Sequence, residues 1–518
     1  MASLALLSVS DKTGIIDLAR TLIEQYGFQI VSSGGTAAAL KEASLPVTKV
    51  SEYTGAPEIL GGRVKTLHPK IHGGILSRPD LPTDAQDLEN NSITPFSVIV
   101  VNLYPFEQTV LKPDVTVEQA IEQIDIGGPS MIRGAAKNHQ YITVLSSPSQ
   151  YDEFVMELSQ NEGKTTLGFR QRMAMAAFHH TASYDEAISR YLRQQFDPTL
   201  ASSYTLLCSD AKPLRYGENP HQPATWYQTG TTPRGWSAAQ QLQGKELSYN
   251  NLLDLEAARS IVAEFVSERG VATVPTAVIV KHNNPCGVAK GATLAEAYDR
   301  AFKADATSAF GGIVALNAPI DLDTANLLTN TFLECVVAPA CLKPAAEVLA
   351  KKTNLRVLVL PDLRFGATET VKTIAGGVLV QRSDDAPVQP ETWQVVTSTQ
   401  PTTAQMTELA FAWKVCRHVK SNAITVTKDG VTVGIGAGQM NRVGSAQIAF
   451  AQAGDLAQGA VLASDGFLPF DDTVRAAAAA GITAIVQPGG SKRDEDSIKA
   501  ANELGIVMVF TGVRHFLH

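Results

Sequence analysis

Three short turns each follow an apolar run and open a helix-like stretch: SVSDKTG at 8–14, SGGT at 33–36 and DIGG at 125–128, the last with Gly127 at its tip. Free N–H groups at a helix N-terminus, flanked by hydroxyls and by glycines that let the backbone approach, make phosphate sites. One such turn alone is more often a simple capped turn. Three on one strand-end surface point to a phosphorylated ligand. The segment GGRVKTLHP at 61–69 adds two cations and an imidazole in a stretch too broken by glycine and proline for a solvated helix face, as functional loops on α/β scaffolds are. Asn102 and Tyr104 follow the apolar run FSVIVV, and Lys137 lies in GAAKNH. Together these residues suit a carbonyl cyclisation: cations or donors for a developing oxyanion, and Asp125, Tyr104 or Lys137 to move protons, without a covalent nucleophile. Tyr104 by itself reads as a strand-end tyrosine packing its ring.

A second constellation is KHNNPCG at 281–287, after the strand-like TAVIV and with a turn expected at Asn284-Pro285. A lone strand-end histidine is usually structural. Lys281, however, puts a like charge beside His282, which favours a neutral imidazole able to accept a proton. Adjacent strand residues point to opposite faces, so both serve one site only if the strand ends near Val280.

Two further motifs are discarded. GIGAGQM at 434–440 resembles a dinucleotide loop, but Gln439 stands where the third glycine belongs. Pro285-Cys286 resembles half of a zinc-deaminase signature, yet His282 is followed by two asparagines and position 289 is alanine, which leaves zinc without a ligand set.

What must position these residues is a chain of 518, longer than one hydrophobic core sustains, so at least two domains are expected. With 44% hydrophobic and 18% charged residues it has the composition of a globular protein. A net charge of −8 argues against non-specific affinity for nucleic acid or anionic lipid, so anionic ligands need local basic pockets. The five cysteines form no CxxC pair and read as reduced, mostly buried thiols. The apolar segment Leu4–Val9 lacks the flanks of a signal peptide, and no run is long enough to span a bilayer. A cytoplasmic enzyme is expected.

Up to about residue 150, strand-like runs (LALLSVS, FQIVSS, FSVIVVNLY, YITVLSS) alternate with helical periods, which predicts an α/β layer with a largely parallel sheet. Ligands in such sheets collect at the carboxyl ends of the strands. Segments 149–196 read as helices completing the unit, and 197–213 as a connector. The remainder repeats the strand, turn and helix rhythm twice, around TAVIVKHNNPCG and around NAITVTKDGVTVGIGAG, and is expected to hold two similar α/β subdomains without a residue-by-residue repeat.

The motifs SVSDKTG, SSGGT, GGRVKTLHP, VVNLYPF, IDIGGPSMIRGAAKNH, LRYGENPHQ, KHNNPCG, SAFGGIVAL, KSNAI, GIGAGQMNRV, SDGFLPF and GVRHFLH occur in this order over the whole chain. In this the sequence resembles the family of bifunctional purine-biosynthesis enzymes joining phosphoribosylaminoimidazole-carboxamide (AICAR) formyltransferase to inosine monophosphate (IMP) cyclohydrolase. The resemblance implies an N-terminal cyclohydrolase domain over 1–200 with a methylglyoxal-synthase-like fold. It implies a transformylase over 201–518 built from two cytidine-deaminase-like subdomains without zinc. It also implies a homodimer with transformylase sites at the subunit interface, small-molecule substrates, no tightly bound cofactor, and 10-formyltetrahydrofolate as co-substrate.

By the same resemblance Lys65, Tyr104, Asp125 and Lys137 carry the cyclisation, while Ser10, Lys12, Thr13, Ser33, Gly34, Gly35, Thr36, Arg63, Thr66 and Asn102 bind nucleotide. Lys281, His282 and Asn422 carry formyl transfer, with Arg215, Tyr216, Phe310, Gly311, Asp465 and Arg514 around the substrates. Glu334 stands where related chains can carry aspartate. Two other readings compete: a methylglyoxal-synthase-like lyase in the N-terminal unit, and a nucleotide-binding module that keeps only the fold. The ordered C-terminal motifs count against the first, and the intact Lys65, Asp125, Lys281, His282 and Asn422 against the second.

Overall fold

A computed structural model describes residues 3–518 apart from 113, 197–203, 207, 231–232 and 268. The chain divides into two compact units, Met1–Leu207 and Cys208–His518. The expected boundary between 200 and 201 lies outside the described residues.

In the first unit the described strands are β1 (Leu4–Val9), β2 (Gln29–Ser32), β3 (Thr48–Lys49), β4 (Phe96–Asn102) and β5 (Thr143–Leu145). They form one sheet in the order β3-β2-β1-β4-β5, with every pair parallel. The runs are apolar on both faces because helices cover both, as a parallel sheet requires. Helix Ile15–Glu24 buries Ile15, Leu18, Ala19 and Leu22, one stripe of a 3.6-residue period. Helix Leu167–Phe196 buries Phe169, Met173, Ala177 and Tyr184. The chain leaves β1 for β2 on one side and reaches β4 on the other, so a crevice opens beyond the carboxyl ends of β1 and β4.

The second unit adds β6 (Cys208–Leu214), β7 (Ala224–Thr229), β8 (Gln240–Gln243), β9 (Thr276–Lys281), β10 (Asn284–Lys290), β11 (Ile313–Leu316), β12 (Cys335–Ala338) and β13 (Arg356–Val359). It continues with β14 (Glu369–Ile374), β15 (Gly377–Arg382), β16 (Gln394–Val395), β17 (Ile424–Lys428), β18 (Val431–Gly436), β19 (Val461–Ser464), β20 (Ala484–Gln487) and β21 (Val507–Phe510). β6, which begins within the expected connector, pairs with β7, and β14 pairs with β15. The remaining strands form one sheet, ordered β16-β21-β20-β19-β17-β18-β10-β9-β11-β12-β13-β8.

That order is a repeat folded about the β10–β18 contact. Each half is an antiparallel hairpin (β9–β10, β17–β18), a strand antiparallel to its first arm (β11, β19), two further parallel strands and an antiparallel edge strand. The two similar subdomains expected from the sequence are therefore present as topology. Alternation along TAVIV puts Ala277 and Ile279 into one core layer and Val278 and Val280 into the other.

The glycines of the discarded dinucleotide motif have a packing role. A Cβ on Gly434 would stand 2.0 Å from the Ala449 carbonyl oxygen, and one on Gly436 1.9 Å from that of Ser445, so β18 must be bare there for helix Arg442–Ala453 to cross it. Gly287 repeats the device in β10, 2.0 Å from the Ala301 oxygen.

Candidate active sites

The rim beyond β1, β2 and β4 gathers most of the N-terminal candidates. Asn102, last in β4 and nearly buried, accepts the N–H groups of Ser10 (2.6 Å) and Asp11 (2.9 Å) and donates to the Asp11 carbonyl (2.9 Å). It thereby fixes the loop after β1. Thr36 Oγ1 accepts the Val9 N–H and donates to the Val9 carbonyl, and the hydroxyls of Ser8 and Ser33 lie 2.7 Å apart. Thr13 donates through N–H and hydroxyl to Asp11 Oδ1, which lowers the Asp11 pKa.

Helix Gly34–Glu42 begins at this rim without a side-chain cap. A Cβ on Gly34 would lie 3.6 Å from Lys65 Nζ, and one on Gly35 3.6 Å from Lys12 Nζ. Two ammonium groups thus flank the positive end of a helix dipole, an arrangement that an anion stabilises.

Asp125 accepts the Gly128 N–H at 2.8 Å, and its own N–H donates to Tyr184 Oη at 2.8 Å. Burial raises the Asp125 pKa, against the Gly128 N–H, the Lys65 charge and the Gly127 N–H. Burial likewise pushes Tyr184 up to about 12, and Tyr104 is among the groups whose charge acts on it. Thr66 Oγ1 lies 2.4 Å from where a Gly127 Cβ would be. Lys65, Thr66, Tyr104, Asp125 and Gly127 therefore share one corner of the crevice.

Three residues of this unit stand apart from that corner. Lys137 ends the helix Gly127–Lys137, eleven residues that carry it about 15 Å along the axis from Gly127, back toward the amino end of β5. Within one chain it does not meet Asp125. Arg63 is exposed and sits 3.4 Å from Glu122. The imidazole of GGRVKTLHP caps a helix: His68 Nδ1 accepts the Lys70 N–H at 3.1 Å.

In the second unit the pairing directions decide which residues meet. β9 ends at the same edge of the sheet at which β10, β11, β12, β13 and β17 begin and β19 to β21 end. Lys281, His282, Phe310, Gly311, Glu334, Asn422, Asp465 and Arg514 all belong to that edge or to the segments beside it. Lys281 Nζ donates to the carbonyls of Phe310 and Gly311, both at 3.0 Å, which holds it at the start of β11. Phe310 is 61% exposed. The β9–β10 turn falls two residues earlier than expected, at His282-Asn283, with Asn284 paired to Lys281. Both turn residues are left-handed, φ 51° and 61°, as a two-residue hairpin turn requires.

The amide of Asn422 is engaged by groups of its own half of the sheet. Its Oδ1 accepts from Arg442 Nη2 at 2.8 Å, and its Nδ2 donates to the Gln439 carbonyl at 2.9 Å. The link to the hairpin is indirect, from Lys420 N–H to Asn284 Oδ1 at 3.0 Å. Asp465 is fully buried, paired with Arg442 and accepting the Ser421 hydroxyl at 2.5 Å, so it supports the rim from below. Glu334 is 38% exposed, and its Oε2 accepts from the buried Arg356 at 2.8 Å. Arg215 stacks on Tyr216 with its guanidinium 4.6 Å from the ring centre, and Arg514 on Phe516 at the same distance. Asn250 Nδ2 donates to the Glu218 carbonyl, which ties the segment after Tyr216 to helix Tyr249–Ala263.

The comparisons agree over the whole chain. A family model described as the AICARFT/IMPCHase bienzyme matches residues 135–452, and an MGS-like domain matches 14–130. Relatives named bifunctional purine biosynthesis protein PurH are 66% identical in Nostoc punctiforme, 65% in Trichormus variabilis and 63% in Synechocystis sp., each over 100% of both chains. The chain belongs to the AICARFT/IMPCHase bienzyme family. It is a bifunctional enzyme of purine biosynthesis, an AICAR formyltransferase and an IMP cyclohydrolase. The crystal structure of ForH aligns with 37% of this chain and all of its own at 33% identity, with a TM-score of 0.34, too low to define a shared fold.

In this family member, reading the sequence missed Arg442, Arg356 and Asp254. The first two are nearly buried cations, each holding a carboxylate of the rim. Arg442 stands in the quoted motif GIGAGQMNRV, and its signal would have been an arginine opening an otherwise apolar helix. Asp254 is half-buried in helix Tyr249–Ala263, and nothing in its neighbourhood LLDLEAA marks it. The five cysteines are free thiols, and burial raises Cys286 and Cys335 to about 12, which makes both poor nucleophiles.

Proposed function

We propose that the two reactions are divided between the two units. In the second, the 5-amino nitrogen of AICAR attacks the formyl carbon of 10-formyltetrahydrofolate. A new N–C bond forms, the bond from that carbon to the folate nitrogen breaks, the amine proton passes to His282, and the departing nitrogen takes up a proton. Lys281 stabilises the oxyanion, with Glu334 and the Phe310-Gly311 segment lining the substrates. The observation carrying this reading is the single sheet edge shared by Lys281, His282, Gly311, Glu334 and Asn422. Arg215, Tyr216 and Arg514 reach the substrates from segments that border it.

In the first unit the nucleotide phosphate is held at the start of helix Gly34–Glu42 by Lys12, Lys65 and the loop fixed by Asn102. The carboxamide nitrogen attacks the formyl carbon, and the formyl oxygen leaves as water with one proton from each nitrogen. Lys65 stabilises that oxygen while Asp125 and Tyr104 relay protons. Lys137 has no part in this single-chain reading. A homodimer, in which a second copy completes the formyl-transfer rim, and a cytoplasmic location belong to the same proposal. Among the described residues no helix is long and apolar enough to cross a membrane. The test is a coupled assay in which AICAR and 10-formyltetrahydrofolate are supplied and IMP is measured. Formylated nucleotide accumulating without IMP refutes the division of labour.

A further inference from the structure

The His282-Asn283 turn is an uncommon backbone conformation for residues that carry a Cβ, and such turns persist where surrounding groups hold them. One group here does so. Asp254 Oδ1 accepts the Asn283 N–H at 2.7 Å from helix Tyr249–Ala263, which starts from a reciprocal Ser248–Asn251 cap. The same carboxylate faces the His282 N–H and feels the charges of His282 and Lys281. We propose that Asp254 is a positioning residue for formyl transfer, fixing through the Asn283 N–H the left-handed turn that presents His282. The inference rests on the reading of His282 as the base.

Other charged groups near the turn are occupied. Lys281 Nζ is held by the Phe310 and Gly311 carbonyls, and Lys420 Nζ by the His518 carbonyl at 2.8 Å. Among the contacts described, Asp254 is the carboxylate whose hydrogen bond reaches the backbone of the turn. Burial raises its own pKa, with the Asn283 N–H, the His282 charge and N–H, and the Lys281 charge acting the other way.

The test uses Asp254→Ala in the full-length protein, which removes the acceptor of the Asn283 N–H, beside Asp254→Asn, whose amide oxygen can still accept it. In the alanine variant formylation kcat is expected to fall about 10-fold to 10²-fold, the scale of a misplaced reacting group, with KM for AICAR nearly unchanged. Asp254→Asn should restore most of that kcat. Cyclisation of supplied formylated nucleotide should not change. Wild-type kcat in Asp254→Ala overturns the proposal. If the alanine variant does not fold, Asp254→Glu carries the test: it keeps the carboxylate but displaces the turn, so kcat should fall, and a normal kcat overturns the proposal. In the double variant with His282→Ala, the loss should equal that of His282→Ala alone, and multiplied losses refute action through His282. Retained formylation in His282→Ala refutes the base assignment instead, whatever Asp254→Ala does.

Discussion

Asn102 joins the ends of two strands through one side chain, and removing it isolates the worth of that joint. Asn102→Ala deletes three hydrogen bonds, from the N–H groups of Ser10 and Asp11 and to the Asp11 carbonyl. Net contributions of about 1 kcal/mol each would give about 3 kcal/mol. Asp11 is exposed and Ser10 partly so, and water can reach the abandoned groups, which leaves a stability loss of about 1 kcal/mol. For a unit of this size that lowers the melting temperature by about 2–4 °C. A separate cost appears at the site: the loop must be reordered around each nucleotide, and about 1.4 kcal/mol of ordering raises KM about 10-fold.

Asn102→Asp separates geometry from charge. It keeps the acceptor for Ser10 and Asp11 but turns an oxygen toward the Asp11 carbonyl and adds a negative charge to a rim built for an anion. Its KM should rise further than that of the alanine variant. Steady-state cyclisation of formylated nucleotide, with formylation measured on the same preparation as internal standard, reads both. An unchanged cyclisation KM in Asn102→Ala refutes the view that this asparagine preorganises the nucleotide loop, and an equal loss of both activities points to a general folding defect instead.

Asp125→Asn should slow cyclisation by about 10²–10³ while sparing formylation, and near-normal cyclisation removes Asp125 from the chemistry. The same substitution should stabilise the first unit at neutral pH. Burial raises the Asp125 pKa above 3.8, so the native state binds the extra proton, and that stabilisation is complete below 3.8 and lost as pH rises through the folded value. Melting temperatures that do not diverge between the two proteins as pH rises count against this. Arg442→Met leaves the fully buried Asp465 unpaired and should cost about 3–5 kcal/mol in denaturant unfolding; a loss under about 1 kcal/mol shows that the pair is not what supports the rim. His282→Ala should reduce formylation by about 10²–10⁴ with cyclisation intact, and equal losses reject its role as base. A fragment ending near residue 200 should cyclise but not formylate, and a cooperatively melting fragment without cyclohydrolase activity refutes the placement of that site.

The first unit was largely legible because its signals are local. Two of the three phosphate turns, at 8–14 and 33–36, are strand ends leading into helices, while the one at 125–128 follows the helix Val117–Glu122 rather than the expected strand, and the apolar runs that became β1, β2, β4 and β5 carry their own period. Asn102 was found as a strand-end polar residue, but not its role as a clasp, since its partners lie 91 and 92 positions away. Lys137 was grouped with Asp125 by the resemblance, and within one chain the helix between them sets a separation proportional to residue count.

The second unit's repeat leaves almost no trace in residue identity because what its halves share is a set of strand directions. Directions are specified by which face of each strand is apolar and where the chain can turn, and many sequences meet both conditions. Some equivalent residues survive because a backbone approach forbids a Cβ, as Gly287 and Gly434 do in crossing the helices at Ala301 and Ala449. Chemistry then broke the symmetry. Both hairpins turn through two left-handed residues, Asp429-Gly430 in one and His282-Asn283 in the other. The first pair is the common choice for such a turn, whereas the second spends a strained conformation on an imidazole at the rim. A local pattern reader places the turn at the more familiar Asn284-Pro285. The conflict between turn preference and the residues actually used is therefore itself a functional signal, and it points to His282 and to the carboxylate of Asp254 beneath it.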